Sequence, residues 1–207
     1  MKKMQNYLLY AISDGDTRAM EQAIAGGATM IQLRAKRFAD DDLLALARAV
    51  KAVTDKHSIP LVINDRADIA VKIDAAGAHL GPADGDLRAA RALLGPGKIL
   101  GATARTLEQA LAAQGCGADY LGSGAVFGSS TKLDATHMPL ELFREICNCV
   151  HIPVVAIGGV CAGNIGQLRG CGMAGFAVVS GVFGAEDVEA AAKELREKAE
   201  GLCQTSH

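Results

Sequence analysis

The sequence predicts a closed (β/α)8 barrel, and two observations carry this prediction. Short apolar segments that suit β-strands alternate along the chain with alanine-rich segments of helical periodicity. Eight such strand–helix units fit into 207 residues. The alternation favours a parallel sheet, and eight units in this length favour a barrel near the lower end of its usual size. We therefore expect residues 1–207 to form one α/β barrel domain.

The composition indicates a single core and small-molecule partners. Hydrophobic residues make up 50% of the chain, and the formal net charge is −2. This balance leaves no surplus of positive charge that would bind nucleic acid or an anionic membrane surface. No apolar run is long enough to span a membrane. The six cysteines contain no Cys-x-x-Cys pair. We expect free thiols and a cytoplasmic location, and the oligomeric state is left open, a homo-oligomer included.

The predicted strands are apolar without alternation, which is typical of strands buried on both faces. The alternative, an open doubly wound sheet, would usually carry Gly-x-Gly-x-x-Gly after its first strand, and that motif is absent. In chain order the predicted strands are Tyr7–Ile12, Thr29–Leu33, Leu61–Ile63, Ala78–Leu80, Ile99–Ala102, Tyr120–Gly122, Val154–Ile157 and Phe176–Val179.

The segments between the strands carry helix signals at both ends. Gly26 and Gly27 close the first predicted helix, and the Gly-Pro-Gly run at 95–97 closes the fourth. Thr106 and Gln109 form a capping box after the fifth strand. The clearest helical stretches are DDLLALARAVKAV, LEQALAAQ, LELFREICNCV and VEAAAKELREKA.

Polar residues follow the second strand in the sequence IQLRAK. Gln32, Arg34 and Lys36 are two residues apart, which directs their side chains to one side of an extended chain. Because the loops at the carboxyl ends of the strands build the active site of a barrel, we expect these residues at its catalytic rim.

Carboxylates follow the next two strands. Asn64 and Asp65 end the motif IND, and Asp84 ends HLGPAD. A single carboxylate at such a position is often only a helix N-cap. Two of them near Arg34 and Lys36 suit Mg²⁺, which prefers hard oxygen ligands and completes its shell with phosphate oxygens and water.

Hydroxyl and glycine residues follow the later strands. The stretch GAVFGSSTK ends at Lys132, and its glycine spacing does not match a Walker A loop. The seventh and eighth strands end at Gly158-Gly159 and at Val179-Ser180, where barrels commonly bind phosphate through backbone N–H groups. One cationic, metal-assisted anion site and one neutral anion site predict a transferase that handles a diphosphate and a phosphate monoester.

Taken together, the motifs resemble the thiamine-phosphate synthase family. The resemblance runs from the first predicted strand to the eighth, through IQLRAK, IND, HLGPAD, GATART, GADYLGSGAVFGSSTK, IPVVAIGGV and GFAVVSG. It implies a Mg²⁺-dependent condensation. The thiazole nitrogen of hydroxyethylthiazole phosphate displaces diphosphate from 4-amino-2-methyl-5-hydroxymethylpyrimidine diphosphate, which gives thiamine phosphate.

The resemblance also implies residue roles. Gln32 would hydrogen-bond the aminopyrimidine, and Asp65 and Asp84 would bind Mg²⁺. Residues implied to hold the diphosphate are Arg34, Asn64, Thr103 and Lys132, with Lys36 completing the Gln-x-Arg-x-Lys set. Of these, Arg34, Thr103 and Lys132 are the expected catalytic residues. Residues implied to surround the thiazole phosphate are Ser129, Thr131, Gly159, Val179 and Ser180.

The chain departs from the family's usual motifs at several positions. Pro82 stands where Gln is common, Gly128-Ser129 where Pro-Thr is common, and Ala102-Thr103 where Val-Ser is common. The hydroxyls and the Asp84 spacing are kept. We expect His79 to be a packed strand residue and His137 a solvated loop residue, rather than general bases.

Three other functions compete with this one. A related thiazole tautomerase would have no use for a cationic metal site. An inactive relative that binds thiamine phosphate would be free to lose the metal ligands, which are all present. A sugar-phosphate isomerase of the same fold would need an acid–base pair at the rim.

Overall fold

The computed structural model describes residues 6–128 and 137–203. Eight parallel strands form a closed barrel in chain order, each paired with the next and the last with the first. The strands are β1 Leu9–Ser13, β2 Met30–Leu33, β3 Leu61–Asn64, β4 Gly77–Leu80, β5 Ile99–Ala104, β6 Tyr120–Gly124, β7 Val154–Ile157 and β8 Gly175–Val178. The predicted fold class is confirmed.

Helices connect the strands on the outside of the barrel. They are α1 Thr17–Ala25, α2 Asp40–Lys56, α3 Ala67–Lys72, α4 Leu87–Leu94, α5 Leu107–Gly115, α6 Leu140–Cys149, α7 Ser180–Phe183 and α8 Val188–Glu200. The connection between β7 and β8 is different, because it contains only a 3₁₀ turn, Ile165–Leu168. That connection is rich in glycine, the least favourable helix residue after proline. None of the described helices is long and apolar enough to cross a membrane.

The predicted helix ends are found with one change. Gly26 caps the end of α1, and Gly95 ends α4 with a φ of 71°. The Thr106 hydroxyl accepts a hydrogen bond from the Gln109 N–H at 3.2 Å, as a capping box requires. The Gln109 side chain, however, accepts from the N–H of Arg105, one residue earlier than the motif predicts.

Two apolar cores pack against the two faces of the barrel strands. The larger one lies between the strands and the helices, and the smaller one fills the barrel interior. The interior core includes Tyr7, Tyr10, Met30, Tyr120 and Val155. It fills the inside of the barrel below the strand ends, so that the open space within the barrel is at the carboxyl ends of the strands.

Candidate active site

A cavity opens at the carboxyl ends of the strands and gathers the predicted site residues that the structure describes. Those residues are Gln32, Arg34, Lys36, Asn64, Asp65, Asp84, Thr103, Gly159, Val179 and Ser180. Three further predicted residues, Ser129, Thr131 and Lys132, lie outside the described residues, so their assignments stay predictions.

Lys36 and Asp65 form an ion pair at one side of the cavity. Lys36 Nζ lies 3.1 Å from Asp65 Oδ2, and the lysine side chain is 48% exposed while the aspartate is 21% exposed. Arg34 lines the same cavity, and its backbone N–H donates to Ser13 O at 2.8 Å, which continues the pairing of β2 with β1. The two-residue spacing therefore brings Gln32, Arg34 and Lys36 to one cavity, as the sequence predicted.

Asp65 has a strained backbone conformation. Its φ is 63°, in the left-handed region that a residue with a Cβ seldom adopts. The N–H of Arg66 donates to Asn64 O at 2.8 Å, which makes Asp65 the central residue of a tight γ-turn. Its own N–H donates to His79 O at 2.8 Å, so β4 holds the turn in place. Such strain is typical of functional sites.

Asp65 and Asp84 are close enough to affect each other's protonation. Burial raises the pKa of the Asp65 carboxyl, a hydrogen bond to Asp84 raises it further, and Lys36 partly offsets both. Asp84 is held by the N–H of Gly81, which donates to its Oδ2 at 2.8 Å. Two adjacent carboxylates are a hard oxygen donor set that fits Mg²⁺. Within the described residues, no three His, Cys, Asp or Glu side chains gather to hold a metal by themselves.

Five buried or half-buried side chains form a hydrogen-bonded series beneath the cavity, which we call the polar chain. Gln32 Nε2 donates to Tyr10 Oη at 2.7 Å, and Tyr10 Oη lies 2.8 Å from Tyr120 Oη. His79 Nδ1 lies 2.9 Å from Tyr120 Oη. His79 Nε2 lies 2.9 Å from Thr103 Oγ1. All five residues line the cavity.

His79 is buried in β4, as expected, but it does more than fill space. Burial lowers the pKa of its imidazole to about 4, so the ring is neutral at physiological pH. Each ring nitrogen has a hydroxyl neighbour. His137 is exposed, in agreement with the expectation for a solvated residue.

Sequence reasoning missed Tyr10, Tyr120 and Arg105. The tyrosines lie within predicted strands, and a buried phenol usually needs a hydrogen-bond partner, which was the available signal. Arg105 lines the cavity two residues after Thr103, in the same phase that identified Arg34 and Lys36.

The opposite side of the cavity consists of the ends of β7 and β8. Gly159 has a φ of 66°, and a Cβ there would lie 2.8 Å from the carbonyl oxygens of Phe127 and Gly128, so only glycine fits. Asn164 Nδ2 donates to Gly159 O at 2.7 Å and holds this turn. Ser180 begins α7 two residues after the end of β8, where the first N–H groups have no intrahelical partner.

Comparison with known proteins agrees with this geometry. The family model described as thiamine monophosphate synthase matches residues 9–182. A thiamine-phosphate synthase of Clostridium tetani is 43% identical over 194 residues, which cover 90% of this chain and 93% of that protein. One of Ruminiclostridium cellulolyticum is 43% identical over 204 residues, covering 95% and 97%.

A solved structure is similar over the same length. The thiamine phosphate pyrophosphorylase from Pyrococcus furiosus superposes with a TM-score of 0.89 at 38% identity, covering 95% of this chain and 97% of that one. The matched family region, residues 9–182, contains every predicted site residue. The chain therefore belongs to the thiamine monophosphate synthase family.

Proposed function

We propose that the protein is a thiamine-phosphate synthase that joins the pyrimidine diphosphate to the thiazole phosphate. The thiazole nitrogen forms a bond to the pyrimidine's exocyclic methylene carbon, the C–O bond to diphosphate breaks, and diphosphate leaves with that electron pair. The observation that carries the proposal is a single cavity with a carboxylate–lysine group at β2–β4 and a glycine-lined turn at β7–β8. The near full-length relatives named for this activity support it.

The diphosphate would lie on the side of β2 to β5. Asp65 and Asp84 would hold Mg²⁺, which supplies positive charge to the leaving diphosphate when bound. Arg34 and Lys36 would bind diphosphate oxygens directly, and Asn64 and Thr103 would donate hydrogen bonds to them. Lys132 has the same assigned role from sequence. Arg105 adds a cation on the β5 side that the sequence analysis did not include.

The organic parts of the substrates would lie between the two anion sites. Gln32 is 2% exposed and has its amide at the cavity, which suits recognition of the aminopyrimidine. The thiazole phosphate would bind the backbone at Gly159, Val179 and Ser180, with hydroxyls of Ser129 and Thr131. Because each substrate would be bound by its phosphate group, the thiazole nitrogen would be held next to the methylene carbon, where it would react with this carbon faster than water does.

A direct assay tests the proposal. The protein, both substrates and Mg²⁺ should give thiamine phosphate and diphosphate in equal amounts, and a chelator should stop the reaction. A thiazole tautomerase would interconvert thiazole phosphates without using the pyrimidine diphosphate. An inactive binding protein would bind thiamine phosphate without turnover. Either result would refute the assignment.

A further inference from the structure

The polar chain connects two parts of the cavity that handle different chemistry. It begins at Gln32 on β2, passes through β1, β6 and β4, and ends at Thr103 on β5. Under the proposed function, on which this inference rests, Gln32 faces an amino group and Thr103 faces an anion. The amino group of the substrate is a hydrogen-bond donor, whereas the anion only accepts hydrogen bonds.

The Gln32 donor at one end of the chain gives the other bonds one consistent direction when each hydroxyl donates its proton to the next member. Because Gln32 donates through Nε2, the Tyr10 oxygen accepts, and the Tyr10 proton points to Tyr120. The Tyr120 proton then points to His79 Nδ1. A neutral imidazole with Nδ1 as the acceptor carries its hydrogen on Nε2, and that hydrogen is donated to Thr103 Oγ1.

We propose that His79 is a positioning residue whose Nε2–H tautomer makes Thr103 a hydrogen-bond donor into the cavity. Thr103 accepts from His79, so its own proton is free for a diphosphate oxygen. At the other end, Gln32 donates one amide hydrogen to Tyr10, and its amide oxygen can accept a hydrogen bond from the aminopyrimidine. With the reverse direction, Thr103 would give its proton to His79 and present only lone pairs to the anion.

Two glycines leave the space that this arrangement needs. A Cβ on Gly101 would overlap the ring of Tyr120. A Cβ on Gly122 would lie 3.3 Å from His79 Cε1. The strands on either side of the polar chain therefore carry no side chain where its rings lie, which lets Tyr120 reach both Tyr10 and His79.

The tautomer can be measured directly. In protein labelled with ¹⁵N in histidine, NMR separates a protonated from an unprotonated ring nitrogen, and His79→Gln identifies the signals of His79 among the five histidines. We expect the proton on Nε2, both in the free protein and with inorganic diphosphate and Mg²⁺ bound. A proton on Nδ1 in the diphosphate complex would overturn the proposal. This readout does not depend on turnover, so it is separate from a failure of the proposed function.

A double-mutant cycle tests whether the effect passes through Thr103. Thr103→Val should lower kcat about 100-fold, as loss of a donor to developing charge does. Tyr120→Phe should lower it on the order of tenfold, as loss of an outer hydrogen-bond partner does at metal sites. If His79 acts through Thr103, Tyr120→Phe should have no further effect in the Thr103→Val background.

A matched control separates this from a packing effect. Tyr7→Phe removes a phenol hydroxyl from the same interior core. The centre of the Tyr7 ring lies 4.8 Å from that of the Tyr120 ring, but Tyr7 does not belong to the polar chain. It should leave kcat within about twofold of the parent. Fully additive losses for Tyr120→Phe and Thr103→Val would refute the coupling.

Discussion

Lys36 Nζ lies 3.1 Å from Asp65 Oδ2, so a lysine neutralises one of the two carboxylates assigned to the metal. Under the proposed function, the lysine and the metal ion would compete for the same oxygen, although both would bind the same diphosphate.

Lys36→Met should separate these two effects. Removal of the competing ammonium should leave the Mg²⁺ affinity unchanged or raise it up to about fivefold, the range of a half-exposed ion pair. Loss of a cation from the diphosphate should lower kcat/KM for the pyrimidine diphosphate at least about tenfold. Calorimetry and steady-state kinetics measure the two quantities. Lys56→Met, which breaks an exposed pair with Glu21, is the control. Weaker Mg²⁺ binding by Lys36→Met would contradict the prediction.

Asp65→Gly and Asp65→Ala test the strained turn. Both variants lose the carboxylate and should lose turnover. Alanine keeps a Cβ at a φ of 63°, whereas glycine adopts that φ freely. Asp65→Gly should therefore be more stable than Asp65→Ala by about 1 kcal/mol, the reverse of the usual order for these two residues. Urea unfolding in the presence of a chelator measures this difference, and a more stable alanine variant would show that the turn is not strained.

Arg105→Gln should affect one substrate only. Arg105 lines the cavity beyond Thr103, and within the described part of the chain it forms no ion pair that would account for it structurally. We expect the KM for the pyrimidine diphosphate to rise about tenfold or more, as the loss of a charged hydrogen bond predicts, with the KM for the thiazole phosphate unchanged. Arg48→Gln, on the exposed face of α2, is the matched control. A change limited to the thiazole phosphate would place Arg105 at the other anion site.

Gly101→Ala should disturb the barrel interior. The added Cβ overlaps the Tyr120 ring, which must then move from its hydrogen-bonded position. We expect the free energy of unfolding to fall by about 1–3 kcal/mol and kcat to fall with it. Gly115→Ala, at the end of α5 with no atom within 4 Å of the added Cβ, should leave kcat unchanged and should keep the free energy of unfolding or raise it by up to about 1 kcal/mol. Chemical unfolding and the assay decide between these outcomes, and a neutral Gly101→Ala would mean that Tyr120 has room to spare.

The two cysteines near the end of α6 should differ in reactivity. Burial raises the pKa of the Cys147 thiol to about 12, whereas Cys149 is exposed. Because the thiolate is the reactive form and Cys147 is protonated below that pKa, iodoacetamide at pH 8 should label Cys149 first. Cys147 should react only after denaturation, as peptide mass spectrometry can show. Equal labelling of both residues in the folded protein would contradict this assignment.

Strand positions could be predicted from the sequence because strands buried on both faces of a parallel sheet appear as short, continuous apolar runs. Val154–Ile157 was predicted with its observed bounds. The first strand is predicted to begin at Tyr7 but begins at Leu9. Tyr7 is buried in the interior core like the strand residues, but it precedes the residues that pair with β2. The count of eight strand–helix units predicts a helix after β7 as well, and there the prediction is wrong. The structure has only the 3₁₀ turn Ile165–Leu168, because the connection is rich in glycine.

Site residues could be predicted where they follow one strand in phase or where a family motif names them. Gln32 and Lys36 are examples, and both line the cavity. The polar chain could not be predicted, because two of its four contacts, Tyr10 with Tyr120 and Tyr120 with His79, join strands that are not neighbours. Tyr10 on β1 meets Tyr120 on β6 across the barrel interior, and that meeting depends on the register of every strand between them.

The closure of the ring has a consequence for how the protein is made. β1 pairs with β8. A Cβ on Gly26, which caps α1, would come within 2.6 Å of the Ala192 side chain on α8, and Arg196 of α8 donates to Gly27 O at 3.1 Å. On the ribosome, the first strand therefore waits for almost the whole chain before its second neighbour exists, on the order of ten seconds at usual elongation rates. During that time β1 has an unpaired edge that another nascent chain can bind. The speed of translation thus sets how long each new molecule is exposed to misassembly.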